Sequence, residues 1–329
     1  MNAFVFACDP APERQINGMN HAFLPLEGRP LFLYVLMALD RVPEITTITV
    51  IGSPKEIMRA IERVIFEIPF QKKIAVLEQK ETLLENVSLV SALVNGATTL
   101  SNEPSTSTRA DSHREKDVQE GLSMLPEPAL FLPANIPFVT SAEISRFIAA
   151  ADMTQSDFCF SIVPAGLLTF SDSEQAPHVL YETEQGSYHP GRLILTRPGQ
   201  MADETSLKAI DALHHKNRQE DGLHQNGLKP FLKLIGIPDE TTTDSLPSLS
   251  AIEEKATAFL KTQFKLIETA TAGNALPADD RATYQFILRH FEAWRRHISE
   301  LKNEQGEKLC SISGAVCESH DTQFPLTPQ

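Results

Sequence analysis

The sequence predicts an α/β protein with three layers, in which helices cover both faces of a mostly parallel β-sheet. Short apolar, β-branched runs alternate with longer stretches whose apolar residues recur at helical spacing over the first half of the chain. Each strand-like run precedes a helix-like stretch, and this order produces parallel strands joined by right-handed crossovers. The content of 42% hydrophobic and 22% charged residues is typical of a globular protein with a buried core.

Strand and helix segments follow one another regularly up to about residue 165. Strands are expected over 3–8, 45–52, 73–77, 129–133 and 158–163, and helices over 31–39, 53–65, 82–97 and from 141. Ser53 is expected to cap the second helix, because Pro54 suits the first helical turn. Ser141 is expected to cap the fourth helix.

The alternation is less regular beyond residue 165. Segments 192–196 and 264–268 predict strands, segments 206–216, 252–259 and 280–301 predict helices, and the apolar segment 228–235 is ambiguous. Residues 101–127 are rich in Ser, Thr, Glu and Asp, which predicts a flexible insertion, and the polar segment 304–329 predicts a flexible tail. We expect a single α/β domain over residues 1–303.

Composition excludes several classes of partner. A net charge of −14 argues against a nucleic-acid backbone or an anionic membrane. No apolar run approaches the ~20 residues that a membrane-spanning helix needs, and the N-terminus has no pattern typical of a secretion signal. The four cysteines are scattered and form no C-x-x-C unit, so neither a zinc site nor a disulfide framework is indicated. We expect a cytoplasmic protein.

A polar loop between the first strand and the first helix is where many α/β proteins bind phosphate. Here residues 20–31 read Asn-His-Ala-Phe-Leu-Pro-Leu-Glu-Gly-Arg-Pro-Leu. This segment resembles the MobA-like, GT-A-type nucleotidyltransferases, in which the sequence of the loop is roughly G-x-G-x-R-M…N-K-A-L-L-P-L-x-G-R-P-L. The glycine-rich first half is replaced by Asp-Pro-Ala-Pro-Glu-Arg over residues 9–14, where the prolines supply no N–H donors.

The resemblance implies roles for this loop in nucleotide binding. Arg14 and His21, which stands where the family has Lys, would be catalytic residues that hold the triphosphate, and Gly18 would belong to the nucleotide-binding loop. The alternative is a degenerate loop that preserves the fold and no longer binds a triphosphate.

The resemblance also implies a magnesium site with a reduced set of ligands. Residues 132–140 are similar to the family's G-D-x-P-L-V-T segment, with Asn135 in place of the metal-binding Asp. Residues 273–284 are similar to its G-x-x-L-D-V-D-x-x-x-D-Y segment, in which Asp279 remains. Asn135 and Asp279 would then hold Mg²⁺, an ion that prefers oxygen ligands. Alternatively, Asp279 or Asp280 caps the last helix.

Further binding residues follow from the same resemblance. Glu78, Gln79 and Asn86 would read the base or position the sugar of the nucleotide, since ligands bind at the carboxyl ends of parallel strands. Arg192 and Arg197 would bind a phosphorylated acceptor, within an acceptor-side portion of the domain over about residues 166–250. Ordinary polar strand ends and solvated arginines are the alternatives.

The resemblance thus implies a Rossmann-like, GT-A-like fold and two functional hypotheses. The first is transfer of a nucleotidyl group from an NTP to a small phosphorylated acceptor, such as a sugar phosphate, with release of pyrophosphate. The second is a catalytically inactive homologue that serves as a nucleotide-binding or protein-interaction scaffold. The altered glycine loop, the absent Lys and the absent strand-end Asp favour the second, so enzymatic status is left open.

Overall fold

A computed structural model describes residues 1–8, 15–81, 83–94, 128–171, 174–175, 181–197, 205, 228–237 and 246–296. The expected insertion over 101–127, the expected helix over 206–216 and the expected tail over 304–329 lie outside these residues, as does Arg14. The chain divides into two compact units, Met1–Phe286 and Ile287–Gln329. The sheet and the candidate site lie in the first unit.

One large mixed sheet forms the centre of this unit. Its strands are β1 (Asn2–Phe6), β4 (Thr47–Gly52), β5 (Lys73–Glu78), β6 (Ala129–Pro133), β7 (Phe158–Pro164), β10 (Tyr181–Thr183), β11 (Gly186–Thr196) and β12 (Phe264–Glu268). The order is β12-β7-β11-β6-β1-β4-β5, and β10 pairs with β11. Strand β11 is antiparallel to β6, β7 and β10, and the other pairings are parallel. This confirms the predicted, mostly parallel α/β architecture.

Two short hairpins lie outside the large sheet. Strands β2 (Pro25–Leu26) and β3 (Arg29–Pro30) form one, and β8 (Thr169–Ser171) and β9 (Glu174–Gln175) form the other.

The helices are α1 (Leu31–Asp40), α2 (Pro54–Val64), α3 (Leu83–Val94), α4 (Ser141–Ala150), α5 (Leu228–Leu234), α6 (Leu249–Leu260) and α7 over residues 281–296. The ambiguous segment 228–235 is therefore mostly helical. The prediction that Ser141 caps α4 is wrong: Thr140 is the cap, and its side chain accepts a 3.1 Å hydrogen bond from the Glu143 backbone N–H. Thr140 has the extended backbone that a capping residue needs, whereas Ser141 already lies in the helix.

The core consists of two apolar clusters on opposite faces of the sheet. Side chains of a strand point alternately to the two faces, so Ala3 and Val5 of β1 lie in one cluster and Phe4 lies in the other. Helices α1, α2 and α4 contribute to the first cluster, and helices α3, α5 and α6 contribute to the second. Burial on both faces explains why the strand segments are almost continuously apolar.

The topology places several chain segments at one edge of the sheet. Strands β1, β4, β5 and β6 are parallel, so their carboxyl ends lie along the same edge. Strand β11 runs the other way, and its pairing with β7 shifts register between Pro190 and Ile194. This irregular part of β11 lies near the carboxyl ends of its neighbours. Among the helices that the structure describes, none is long and apolar enough to cross a lipid bilayer.

Candidate ligand site at the carboxyl edge of the sheet

Asn20 fastens the loop after β1 to the end of that strand. Its Nδ2 donates to the Ala7 carbonyl at 3.1 Å, and its Oδ1 accepts from the Ala22 backbone N–H at 2.8 Å. Asn20 thereby caps a short 3-10 helix over His21–Phe23. His21 is the first residue of this helix and is partly exposed, so the structure places it beside the carboxyl end of β1.

Gly18 lies in a tight turn. Ile16 and Met19 exchange two backbone hydrogen bonds of 3.1 Å, and Asn17 and Gly18 between them have φ values of 55° and 73°. Two consecutive residues with positive φ are the geometry of a type I′ hairpin turn, for which Asn-Gly is the preferred pair. The glycine is therefore explained by backbone conformation, and its predicted role in nucleotide binding stays a prediction.

Asn86 shapes the loop that follows β5. Its side chain is buried, its Oδ1 accepts from the Lys80 N–H at 2.7 Å, and its Nδ2 donates to the Lys80 carbonyl at 3.2 Å. Gln79 continues the strand pairing through a 3.0 Å bond from its N–H to the Gly52 carbonyl. The exposed Glu78, which ends β5, and the half-buried Gln79 thus lie at the carboxyl edge, directly before the residue that Asn86 holds.

Asn135, Arg192 and Asp279 meet at one point of the same edge. Asn135 Nδ2 donates to Asp279 Oδ1 at 2.9 Å, and Arg192 Nη2 donates to Asp279 Oδ2 at 3.0 Å. The side chains of Arg192 and Asp279 are 9% and 29% exposed. The sequence patterns assigned Asn135 and Asp279 to a metal and Arg192 to an acceptor; the structure joins all three in one cluster.

Asp280, and not Asp279, caps the last helix. Asp280 Oδ1 accepts from the Thr283 N–H at 2.8 Å, and the Asp280 N–H donates to Thr283 Oγ1 at 3.1 Å. This reciprocal pair satisfies backbone donors at the start of α7. Asp279 is therefore left to contact Asn135 and Arg192.

A buried polar network lies behind Arg192. Asn274 is fully buried, and its Oδ1 accepts from Ser161 Oγ and from the Arg192 N–H, both at 2.9 Å. Ser161 Oγ in turn accepts from the Leu193 N–H at 2.9 Å. On its other side, Asn274 Nδ2 donates to Glu143 Oε1 at 2.8 Å. Sequence analysis did not identify Ser161, Asn274 or Glu143.

Glu143 is a carboxyl group buried in this network. Burial raises its pKa from 4.5 to about 7, because the interior disfavours a charged carboxylate. Hydrogen bonds from the side chain and backbone of Asn274 act in the opposite direction, since they stabilise the ionised form. Burial outweighs these bonds, so Glu143 changes charge near neutral pH.

Two glycines allow the network to pack this closely. A Cβ atom on Gly191 would lie 2.0 Å from Ser161 Oγ and 2.3 Å from Asn274 Oδ1. A Cβ atom on Gly273 would lie 2.1 Å from the Phe138 carbonyl oxygen. These glycines were the sequence signal that could have pointed to the network.

Arg197 does not join the cluster. It follows Thr196, which pairs with the first residues of β6 and β7 and so lies at the opposite edge of the sheet. Its Nη2 donates to the Met153 carbonyl at 2.8 Å, and its Nη1 donates to Asp157 Oδ1 at 3.2 Å. Its predicted contact with an acceptor stays a prediction.

The described donor set does not fit a magnesium ion. Asp279 is the one carboxylate of the cluster, and its two oxygens accept from Asn135 and from the permanently charged Arg192 guanidinium. Mg²⁺ prefers octahedral oxygen ligands, commonly including carboxylates, and a guanidinium beside the carboxylate repels a second cation. In the described part of the chain, no group of three or more His, Cys, Asp or Glu residues could hold a metal. Asp9 and Glu13 lie outside that part.

Neither a protein-family model nor a curated protein matches the chain. A solved structure described as a hypothetical transferase from Thermus thermophilus is 16% identical, with a TM-score of 0.56 over 85% of this chain and 96% of that one. Weaker likenesses include 4-diphosphocytidyl-2C-methyl-D-erythritol synthase from Anaerococcus prevotii, with 10% identity, a TM-score of 0.47 and coverage of 88% and 95%. Another is CMP:2-keto-3-deoxy-manno-octonic acid synthetase in complex with CTP, with 9% identity, a TM-score of 0.48 and coverage of 89% of this chain and 98% of that one. The chain shares the Rossmann-like α/β fold of the Thermus thermophilus structure.

Proposed function

We propose that this protein is nucleotidyltransferase-like: it binds a nucleoside triphosphate and a small phosphorylated acceptor, and it transfers NMP with release of pyrophosphate. The observation that carries this proposal is the meeting of Asn135, Arg192 and Asp279 within hydrogen-bonding distance. They come from distant parts of the chain and meet at the carboxyl edge, where ligands bind in α/β sheets of this kind. The shared fold with a structure described as a transferase agrees with it.

The edge divides into two sides with different chemistry. On the nucleotide side, His21 lies beside the end of β1 and would contact the phosphates. Glu78, the last residue of β5, and Gln79, which follows it, would contact the base. On the acceptor side, Arg192 carries a permanent positive charge for a phosphorylated acceptor. Phosphoryl transfer depends mainly on positioning and on positive charge near the phosphate oxygens, and Arg192 is the described cluster residue that supplies such charge.

Isothermal titration with each of the four NTPs tests the proposal, first without a divalent ion and then with excess Mg²⁺ or Mn²⁺. We expect one NTP to bind and pyrophosphate to be released when a matching acceptor from a panel of sugar and polyol phosphates is added. Failure of all four NTPs to bind would refute the proposal.

A second candidate is a catalytically inactive homologue that binds a nucleotide, or a protein partner, on the same scaffold. The Arg192–Asp279 ion pair favours this candidate, because it engages the one carboxylate of the cluster. The same titration separates the two functions. Binding of an NTP without pyrophosphate release for any acceptor in the panel would favour the scaffold.

A further inference from the structure

The Arg192 guanidinium is buried with few acceptors. Its side chain is 9% exposed, and within the described part of the chain Asp279 is the acceptor that it reaches. Its Nε is buried without a described hydrogen-bond partner, as is the Nε of Arg197, but Arg197 reaches several other acceptors. A guanidinium has five N–H donors, and burying donors without acceptors costs free energy. This arrangement suits a side chain whose remaining acceptors come from a ligand.

The backbone at Arg192 is held independently of Asp279. Its backbone N–H donates to Asn274 Oδ1, and the next N–H, of Leu193, donates to Ser161 Oγ, both at 2.9 Å. The close packing of Gly191 against the same two side chains holds the strand further. The backbone that carries the guanidinium is therefore fixed before any ligand arrives, which reduces the entropy that binding must overcome.

The charges favour an anion over a cation at this point. Asn135 and Arg192 already offset the charge of the Asp279 carboxylate. The positive guanidinium would repel a divalent cation. It can bind an anion, because each of two edges of its plane presents N–H donors. Asp279 is more exposed than Arg192, at 29% against 9%, so solvent and ligands reach the pair from the carboxylate side.

We propose that Arg192 forms a metal-independent oxyanion site, which binds the phosphate group of a small molecule and supplies the positive charge that a divalent ion would otherwise provide. The Asn274 network fixes the backbone of Arg192, and Asp279 accepts one hydrogen bond from the guanidinium. The ligand class rests on the proposed function, and the metal independence rests on the geometry of the cluster.

Titration calorimetry with inorganic pyrophosphate tests this site on the full chain, in EDTA and in excess Mg²⁺. We expect binding in EDTA that Mg²⁺ does not strengthen, and a loss of at least about tenfold in affinity for Arg192→Gln, the usual scale for a charge-assisted bond. Arg29→Gln is the control, because Arg29 forms an ion pair of the same 3.0 Å length with Glu67 outside the cluster. It should bind like the wild type. Binding that requires Mg²⁺, or that survives Arg192→Gln, would overturn the proposal.

Asp279→Asn gives a second test, in which a metal site and an arginine site predict opposite changes in pyrophosphate binding. If Asp279 held a metal, this variant would lose pyrophosphate binding. If Arg192 binds the anion, removing the neighbouring negative charge should preserve or strengthen binding in EDTA, and weaker binding would contradict the proposal. This result is separable from the proposed function: an NTP that binds only with Mg²⁺ refutes the arginine site alone, whereas pyrophosphate binding without NTP binding refutes the transferase alone.

Discussion

Two arginine–aspartate ion pairs differ in what surrounds them, although their arginines are only five positions apart: Arg192 lies within β11 at its register shift, and Arg197 follows the last residue of that strand. Arg192 contacts Asp279 at 3.0 Å, and Arg197 contacts Asp157 at 3.2 Å, with arginine side chains 9% and 13% exposed. Arg197 also donates to the carbonyls of Met153 and Ser156. Asp157 Oδ2 accepts in addition from the Thr262 hydroxyl and the Gln263 N–H.

The difference separates a structural contact from a candidate site. The Arg197–Asp157 pair connects loops at the amino edge of the sheet, and its atoms engage several backbone groups. The Arg192–Asp279 pair lies at the carboxyl edge, and its guanidinium reaches one acceptor in the described part of the chain. The family resemblance implied the same role for both arginines, whereas their contacts in the structure differ.

The largest expected effect concerns the network that supports only the first pair. Gly191→Ala would place Cβ 2.0 Å from Ser161 Oγ, so Ser161 and Asn274 must move, at a cost of about 3 kcal/mol in the free energy of unfolding. Urea denaturation measures this cost. Gly166→Ala is the control, because its Cβ would meet nothing within 4 Å. Equal losses in the two variants would show that the network is not tightly packed.

Glu143 should make the stability of the network behind Arg192 sensitive to pH. Its pKa is raised from 4.5 to about 7, so the unfolded chain ionises first as pH rises. The free energy of unfolding then falls, by about 3 kcal/mol once pH has passed the folded pKa. Glu143→Gln cannot ionise, so its stability relative to the wild type should rise by about this amount between about pH 5 and about pH 8.

His189 provides a control of opposite sign. Burial lowers its pKa from 6.5 to about 4, so its contribution to stability is lost as pH falls. Both residues therefore affect how the free energy of unfolding of the wild type depends on pH. The difference in this free energy between the wild type and Glu143→Gln gives the contribution of Glu143 alone. A difference that does not change with pH would show that Glu143 titrates alike in the folded and unfolded chains.

Asparagine substitutions at the two aspartates compare the pairs directly. Both oxygens of Asp157 face donors, including the fixed Gln263 N–H, so an amide NH₂ group must oppose one of them. Asp279 contacts Asn135, whose amide can rotate to present its oxygen instead. We expect Asp157→Asn to cost about 2 kcal/mol and Asp279→Asn about 1 kcal/mol, given the partial exposure of both carboxylates. Chemical denaturation of the two variants shows which substitution costs more stability. A larger loss for Asp279→Asn would contradict the assignment of the Arg197–Asp157 pair as the structural contact.

The smallest effect is expected at an exposed reference pair. Arg29 contacts Glu67 at 3.0 Å, with side chains 36% and 64% exposed. Arg29→Gln should change stability by less than about 0.5 kcal/mol, because solvent screens exposed ion pairs. Thermal denaturation at low and high salt measures this baseline. If Arg29→Gln costs nearly as much stability as Asp157→Asn, burial does not explain why exposed and buried ion pairs differ in their contribution to stability.

Much of the fold could be predicted from the sequence because the apolar periodicity is local. The strand segments 45–52, 73–77 and 264–268 correspond closely to β4, β5 and β12. The motifs also indicated that Asn135 and Asp279 belong to one edge. The contact between Asp279 and Arg192 could not be predicted, because it depends on the register shift in β11. The link between Glu143 and Asn274 joins residues 131 positions apart and leaves no periodic pattern.

The long separations within the cluster also have a consequence during protein synthesis. Asn135 and Asp279 are 144 residues apart, and Tyr284 Oη donates to the Pro25 carbonyl across 259 residues. Contacts that close such long loops form late, since the chain must lose much entropy before they stabilise it. The strands β1, β4, β5 and β6 leave the ribosome well before Asp279 does. We therefore expect a nascent chain that already has several strands of its sheet to acquire its candidate ligand site only after Asp279 has left the ribosome.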